Sequence, residues 1–145
     1  MLHNYQTILV AIDGSIEATH AFHKAIDIAK RNKGATLHLV HVIDTATIDS
    51  VDLYLQNIQE KALLLLADYK TEAIEEGVDN VIVTVEYGAP KSIIPKKVAP
   101  SIYADLIICG ATGLNKVERL LFGSVSEAIV RHASCDVLIA RTSEQ

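Results

Sequence analysis

The residues best suited to chemistry are three glycines in the stretch GATGLNKVERLLFGSVSEAI, which covers positions 110 to 129. Gly110 and Gly113 would let the backbone approach a ligand closely or adopt a positive φ. Gly123 and Ser124 open a predicted helix, whose free N–H groups and dipole favour a bound anion. The spacing therefore predicts a backbone cradle for a phosphate group.

An alternative explanation of the same stretch needs no ligand. Ser124 and Glu127 form the Ser-x-x-Glu pattern of a capping box, in which both side chains satisfy backbone N–H groups at a helix start. Ser126 adds a further hydroxyl donor in either case. A capping serine leaves neighbouring N–H groups free, so the two explanations can coexist, and from the residues alone both stay open.

Two familiar nucleotide-binding motifs are missing from the sequence. There is no G-x-x-x-x-G-K-[ST] pattern, which excludes a P-loop. No G-x-G-x-x-G follows the first apolar segment, which excludes the dinucleotide fingerprint.

Composition narrows the class of protein. The chain has 145 residues, half of them apolar and 21% charged, which is typical of one globular domain spanning 1–145. A net charge of −5 and the absence of tryptophan argue against nucleic-acid binding. Two cysteines make no disulfide framework, and no apolar run approaches the ~20 residues of a membrane span. We expect a soluble, cytoplasmic protein.

The strands that must position the glycines are short apolar runs. They are predicted at 7–12, 36–43, 80–87, 105–109 and 136–140. Longer amphipathic segments separate them, so the order predicts an α/β fold of three layers, a five-stranded parallel sheet with helices on both faces.

Four helices are predicted from the 3.6-residue periodicity, over about 16–33, 51–73, 90–99 and 124–133. Ser15 is the expected N-cap of the first. Leu63 and Leu64 should widen the apolar stripe of the second and deepen the core. Pro95 should kink the third helix or delay its start, and Pro100 should end it.

A ligand crevice in such a sheet lies at the carboxyl ends of the strands, where strand order reverses. If the first three strands wind outward and the chain then crosses back, strands 1 and 4 are neighbours. The turn Asp13-Gly14-Ser15 and the glycine-rich stretch then border one crevice. The glycine-rich connection is longer than the usual ~2–6 residues, and such long loops tend to be functional.

The chain resembles the universal stress proteins of the UspA family over nearly its whole length. ILVAIDGS (8–15) is similar to the family's opening strand and acidic turn, and LVHVID (39–44) to its second strand. ADLIICGATG (104–113) and LLFGSVSEAIVRHASCDVLIA (120–140) resemble its C-terminal signature. The spacing of Gly110-x-x-Gly113, nine residues and Gly123-Ser124 resembles that of the ATP-binding branch.

The resemblance implies an adenine-nucleotide-hydrolase-like fold with strand order 3-2-1-4-5, which binds ATP with Mg²⁺ or Mn²⁺ carried by the phosphates. Asp13 would orient the adenine and ribose end. The adenosine pocket would be lined by Ala11, Ile12, Val42 and Cys109. The ribose and phosphates would be held by Gly110, Thr112, Gly113, Gly123, Ser124 and Val125.

The sequence departs from the family pattern inside the first glycine turn. Many family members have a basic or histidine residue there, whereas this chain has Ala111-Thr112. Less positive charge then faces the phosphates unless Lys116 or Arg119 folds over them, which makes the affinity for ATP an open question.

The histidines and cysteines have simpler explanations than catalysis. His20 and His23 have no third metal ligand nearby, so an exposed helix face is favoured. His38 and His41 fall on opposite faces of strand 2 because side chains alternate, so packing or surface roles are expected. Cys109 should be buried and inert, since no cationic neighbour lowers its pKa.

The last strand, 136–140, should lie at an edge of the sheet and invite another chain. A second copy, related by a two-fold axis, would pair its own last strand antiparallel beside it. The family resemblance implies the same homodimer. Its interface would centre on Val137 and Ile139, with Leu138 on the other face.

The residues and the family resemblance together suggest three functions. The favoured one is an ATP-binding protein with a regulatory or stress-response role. A slow ATP hydrolase is second, because phosphoryl transfer needs concentrated positive charge or metal ligands, and Asp13 is the one well-placed acid. A dimeric stress module without nucleotide is third, and the intact glycine spacing argues against it.

Overall fold

The computed structural model describes residues 4–49, 51, 57–111 and 123–141. Its strands are β1 (Thr7–Ala11), β2 (Thr36–Asp44), β3 (Asn80–Gly88), β4 (Leu106–Gly110) and β5 (Asp136–Ala140). Its helices are α1 (Ile16–Arg31), α2 (Ile58–Glu75), α3, built from the contiguous segments Pro90–Ser92, Ile93–Val98 and Ala99–Ser101, and α4 (Ser124–His132).

All five strands are parallel, in the order β3-β2-β1-β4-β5, which confirms the predicted fold and strand order. Winding reverses between β1 and β4, where Val10 lies opposite Ile108. β2 and β3 stay paired as far as Asp44 and Gly88, beyond the last residue of β1. The carboxyl ends of β1 and β4 are therefore adjacent, and β2 extends beyond both of them.

Alternating side chains divide the core into two layers, one on each face of the sheet. On the face covered by α1 and α2, the layer includes Ile8, Val10, Phe22, Leu37 and Leu66. The layer covered by α3 and α4 includes Leu9, Val40, Ile94, Ile107 and Ile129. Strands apolar on both faces follow from this double coverage, and that is why their sequences read as continuous apolar runs.

Helix α1 begins as its sequence predicts. The Ser15 hydroxyl oxygen accepts a hydrogen bond from the Ala18 N–H at 3.1 Å, which confirms Ser15 as the N-cap. The helix packs on α2 through Phe22, whose ring meets that of Tyr69 edge-on at a centroid distance of 4.8 Å.

Helix α2 starts later than the sequence predicts. Asn57 precedes it with φ 51°, in the left-handed region, so a regular helix cannot continue through Asn57, and positions 52–56 of the predicted helix lie outside the described residues. The helix therefore begins at Ile58.

The prediction that Leu63 and Leu64 deepen the core is wrong. Their exposed fractions are 45% and 63%. The buried positions of α2 are Ala62, Leu66 and Ala73, a stripe too narrow to include the two leucines. The two leucines lie on the solvent side of α2. The apolar residues of this helix therefore cover a broader face than the face that packs on the sheet.

Helix α3 accommodates Pro95 without a late start. The N–H of Ala99 bonds to the carbonyl of Ile94, five residues back, in a widened π-type turn. Such a turn relieves the clash between the proline ring and the preceding carbonyls. Pro100 lies in the last turn and not beyond it, because the helix continues to Ser101.

His38 of β2 is a titratable side chain within the layer covered by α3 and α4. It is 7% exposed, and its Nε2 lies 2.7 Å from the Thr84 hydroxyl oxygen. Burial lowers the pKa of His38, and the nearby Glu86 partly opposes the shift. The folded protein therefore holds this imidazole neutral at pH values where the unfolded chain protonates it.

Stability should fall in mild acid because of His38. Its contribution is complete above pH 6.5, the ordinary histidine value, and is lost as the pH falls through the lower folded-state pKa. His38→Gln keeps a hydrogen-bonding group near the Nε2 position but cannot titrate. Urea unfolding between pH 7.5 and 5 should show a shallower pH dependence in this variant than in the parent. The exposed His132→Gln serves as the control, and an unchanged slope in His38→Gln would contradict the explanation.

Candidate functional site

The turn after β1 is predicted to form one side of the ligand crevice. One carboxylate oxygen of Asp13, Oδ1, accepts from the Ser15 N–H at 2.9 Å, and Gly14 supplies the positive φ of 85° that this turn requires. Asp13 itself is exposed. Within the described ranges its second oxygen, Oδ2, makes no hydrogen bond, so the carboxylate can accept a proton donor from a ligand.

Four of the predicted lining residues meet in one layer. Ala11, Val42, Cys109 and Val125 come from β1, β2, β4 and α4, and all belong to the cluster covered by α3 and α4. Ile12 does not join them, because its side chain is buried in the opposite layer. The side-chain role implied for Ile12 in an adenosine pocket therefore does not fit, and only its backbone borders the crevice.

Cys109 is 4% exposed, and burial raises the pKa of its thiol to about 12. The thiol stays protonated at neutral pH and has little nucleophilic character. It fits a packing role at the end of β4.

Gly110 is required by packing whether or not a ligand binds. A Cβ placed on it would lie 2.6 Å from Cβ of Glu17 and 2.9 Å from its carbonyl carbon. The first turn of α1 thus rests directly on the end of β4. A glycine in this sequence position has a structural explanation that the motif spacing does not reveal.

Hydrogen bonds join the two ends of the long connection after β4. The Gly123 N–H donates to the Ala111 carbonyl at 2.8 Å, and the buried Ser126 hydroxyl donates to the same carbonyl at 2.7 Å. The connection therefore leaves and rejoins the fold at one place. The expectation that Ser126 offers its hydroxyl to a ligand is wrong, because that proton is already engaged.

The capping box at the start of α4 is also absent. Gly123 is the N-cap, with no side-chain cap, and Glu127 pairs with Arg131 at 3.1 Å. Ser124 is exposed, and in the described part of the chain the N–H groups of Ser124, Val125 and Ser126 have no hydrogen-bond acceptor. Among the described residues, no acceptor therefore engages the first amides of α4, which lie next to Ala111 through the Gly123 bond.

Several predicted residues lie outside the described ranges. They are Thr112, Gly113, Lys116 and Arg119. The geometry of the site therefore rests on the residues on both sides of this segment.

The helical histidines line a groove whose walls include none of the predicted lining residues. His20 and His23 line an open groove of about 280 Å³ along α1, beside Gly14 and Ile16. The His23 Nε2 lies 2.9 Å from an oxygen of Glu72, and both side chains are about half exposed. This groove opens on the α1 side of the Asp13 turn, whereas the predicted lining residues face α3 and α4.

The sequence alone does not reveal the role of His41 at this site. Its Nδ1 lies 2.7 Å from the carbonyl oxygen of Ile12, the residue just before Asp13. A carbonyl only accepts, so the His41 Nδ1 carries the proton and donates it. The available signal was a polar side chain near the end of a buried strand, beside the predicted turn.

The described residues contain neither a metal-binding cluster nor a helix suited to span a membrane. No group of three or more His, Cys, Asp or Glu side chains is arranged to hold a metal ion there. Among the helices described, none is both long and apolar enough to cross a membrane.

Known proteins resemble this chain along its length. The family model described as the universal stress protein family matches residues 4–141. A Staphylococcus saprophyticus relative named for that family is 54% identical, and the match covers 97% of this chain and 86% of the relative. A Staphylococcus aureus relative of the same name is 53% identical, with coverage of 97% and 86%.

Solved structures agree with the sequence comparisons. The universal stress protein UspA from Lactobacillus plantarum superposes with a TM-score of 0.84 at 29% identity, covering 97% of this chain and all of that one. A universal stress protein solved in complex with cAMP has a TM-score of 0.76 at 26% identity, covering 97% of this chain and 100% of its own.

Gly110→Ala should destabilise the protein even without any nucleotide. The added methyl group would overlap Glu17, and overpacking of this kind typically costs about 1–3 kcal/mol. The measurement is the urea midpoint of nucleotide-free protein. An unchanged midpoint would show that the contact with α1 is not what requires glycine here.

Proposed function

Because the chain belongs to the universal stress protein family, we propose that it binds an adenine nucleotide, and ATP in particular, in the crevice between the β1 turn and the loop after β4. The observation that carries the proposal is the convergence of Ala11, Val42, Cys109 and Val125 on one side of the sheet, next to the uncapped start of α4. Apolar side chains beside the backbone amides of a helix start suit a flat base attached to phosphates.

The adenosine end of the nucleotide would lie over β1 and β2. Ala11 and Val42 are half-buried and would provide apolar contact, and the buried Cys109 belongs to the same cluster. Asp13 would accept a hydrogen bond from a ribose hydroxyl through the carboxylate oxygen that does not serve its own turn. Ile12 would contribute only backbone atoms.

The phosphate end would lie at α4. Free N–H groups at Ser124 and Val125, together with the helix dipole, favour an anion there, and the exposed Ser124 hydroxyl adds a donor. Gly123 keeps side-chain atoms out of the approach, and Gly110 would contribute backbone alone. Thr112 and Gly113 are assigned to the phosphate site because of their positions in the glycine motif.

Mg²⁺ or Mn²⁺ would accompany ATP through the phosphates. Mg²⁺ usually keeps several waters and needs few protein ligands when phosphates are present. The absence of a metal-binding group among the described residues is compatible with that arrangement.

We favour a cytoplasmic regulatory role in the stress response over ATP hydrolysis. Hydrolysis requires a positioned base near the transferred phosphate, and Asp13 lies beside the β1 turn while the free amides begin at α4. The solved family member in complex with cAMP supports binding of an adenine nucleotide without requiring hydrolysis. A nucleotide-free dimeric module is the remaining alternative.

Ser124→Asp should weaken ATP binding at least about tenfold. Its carboxylate would sit at the proposed phosphate position, while an acidic residue in the first turn suits the helix dipole and preserves the fold. Ser124→Asn is the neutral control of the same size. Calorimetric titration with Mg-ATP gives the affinities, with circular dichroism checking the fold. No heat with the unmodified protein would refute nucleotide binding, and equal affinities for Asp and Asn would refute the phosphate position.

The partner proposed for this chain is a second copy joined along β5. The Ala111 N–H donates to the Ala140 carbonyl, so the even-numbered residues of β5 direct their backbone groups toward β4. Val137 and Ile139 therefore direct theirs outward, at the edge of the sheet. Their side chains are only half-buried in the layer covered by α3 and α4, whereas Leu138 packs in the opposite layer.

The double variant Val137→Lys, Ile139→Lys should be monomeric. Four lysines would meet across the two-fold axis, and their mutual repulsion opposes pairing of the two edges. Val130→Lys, at a half-exposed position of α4, is the control for the same change away from the edge. Light scattering at micromolar concentration should give a dimer for the parent and the control. A monomeric parent, or a folded double variant that stays dimeric, would refute this interface.

A further inference from the structure

The structure carries an inference about His41, which rests on the proposed nucleotide site. We propose that His41 is a positioning residue for the base. Its side chain takes over a backbone hydrogen bond at the end of β1, and this leaves the backbone of Val42 free to recognise adenine.

The argument begins with the pairing of β1 and β2. The Thr36 N–H donates to the Gln6 carbonyl, and the Ile12 N–H donates to the Val40 carbonyl, each at 2.8 Å. Even-numbered residues of β2 therefore direct their backbone groups toward β1. The next bond in this parallel ladder would join the Val42 N–H to the Ile12 carbonyl.

His41 replaces that next bond. Its Nδ1–H reaches the Ile12 carbonyl at 2.7 Å, while the Val42 N–H finds no acceptor in the part of the chain that the structure describes. The ladder thus ends one bond early, and β1 turns away toward Asp13. Val42 keeps a donor and an acceptor that both face the crevice.

A neighbouring donor and acceptor on one residue match the edge of adenine. The ring nitrogen N1 of adenine accepts a hydrogen bond, and its N6 amino group donates one. Guanine has the opposite arrangement at the same edge, with N1–H as donor and O6 as acceptor. A free Val42 backbone therefore favours adenine over guanine, and the His41 side chain keeps it free.

The same strand provides a matched control. His38 lies three residues earlier, on the opposite face, and its Nε2 is bonded to Thr84 and not to the β1 turn. A change from histidine to leucine at His38 alters a buried imidazole without altering the Ile12 carbonyl.

The experiment measures ATP and GTP affinities by calorimetry for the parent, His41→Leu, His41→Asn and His38→Leu. His41→Leu removes the donor and should lose about tenfold in ATP affinity with little change for GTP. His41→Asn places an amide nitrogen near the Nδ1 position and should recover most of the loss. His38→Leu should keep the preference for ATP over GTP.

The outcomes separate this inference from the proposed function. A parent protein that binds neither nucleotide refutes the nucleotide site itself. A parent that binds ATP, with a folded His41→Leu that keeps the same ATP-to-GTP ratio, overturns only the role of His41.

If His41→Leu does not fold, a comparison of His41→Asn with His41→Gln tests the role of His41. The glutamine amide lies near the Nε2 position and should fail where asparagine succeeds, and equal ATP-to-GTP ratios in those two variants overturn the inference.

Discussion

The first turn of α1 rests on the carboxyl end of β4, and the candidate site depends on that contact. Gly110 has no Cβ where Glu17 lies, so the helix can approach the strand this closely. The approach brings the start of α1, which directly follows the Asp13 turn, against the end of β4. The crevice proposed at this point depends on the reversal of strand order between β1 and β4 and on a glycine that lets the helix pack closely over it.

Most of the fold could be predicted because its signals are local or follow from general rules of topology. Short apolar runs located all five strands to within one residue at either end. The Ser15 hydroxyl lies three residues before the amide that it caps, so the start of α1 is readable from the sequence alone. Right-handed crossovers then limit the possible strand orders to a few.

The rest could not be predicted because it depends on contacts between residues distant in sequence. The sequence predicts that the Ser126 hydroxyl donates to a ligand. In the structure it donates to the carbonyl of Ala111, on the other side of the long connection after β4. Leu63 and Leu64 continue the apolar run of α2 beyond its buried stripe, and in the described part of the chain they stay exposed. Alternation along β2 predicts that His41 and His38 lie on opposite faces, but the bond from His41 to Ile12 depends on where β1 ends.

Helix α4 links the two surfaces that the proposals assign. Its first turn presents the free amides, and its Val125 and Ile129 pack in the same layer as Val137 and Ile139 of β5. A displacement of α4 by a phosphate group would therefore press on side chains beside the edge strand. Under the proposed function, nucleotide binding and pairing of two copies share one set of packed residues, and a physical connection between them requires no element other than this helix.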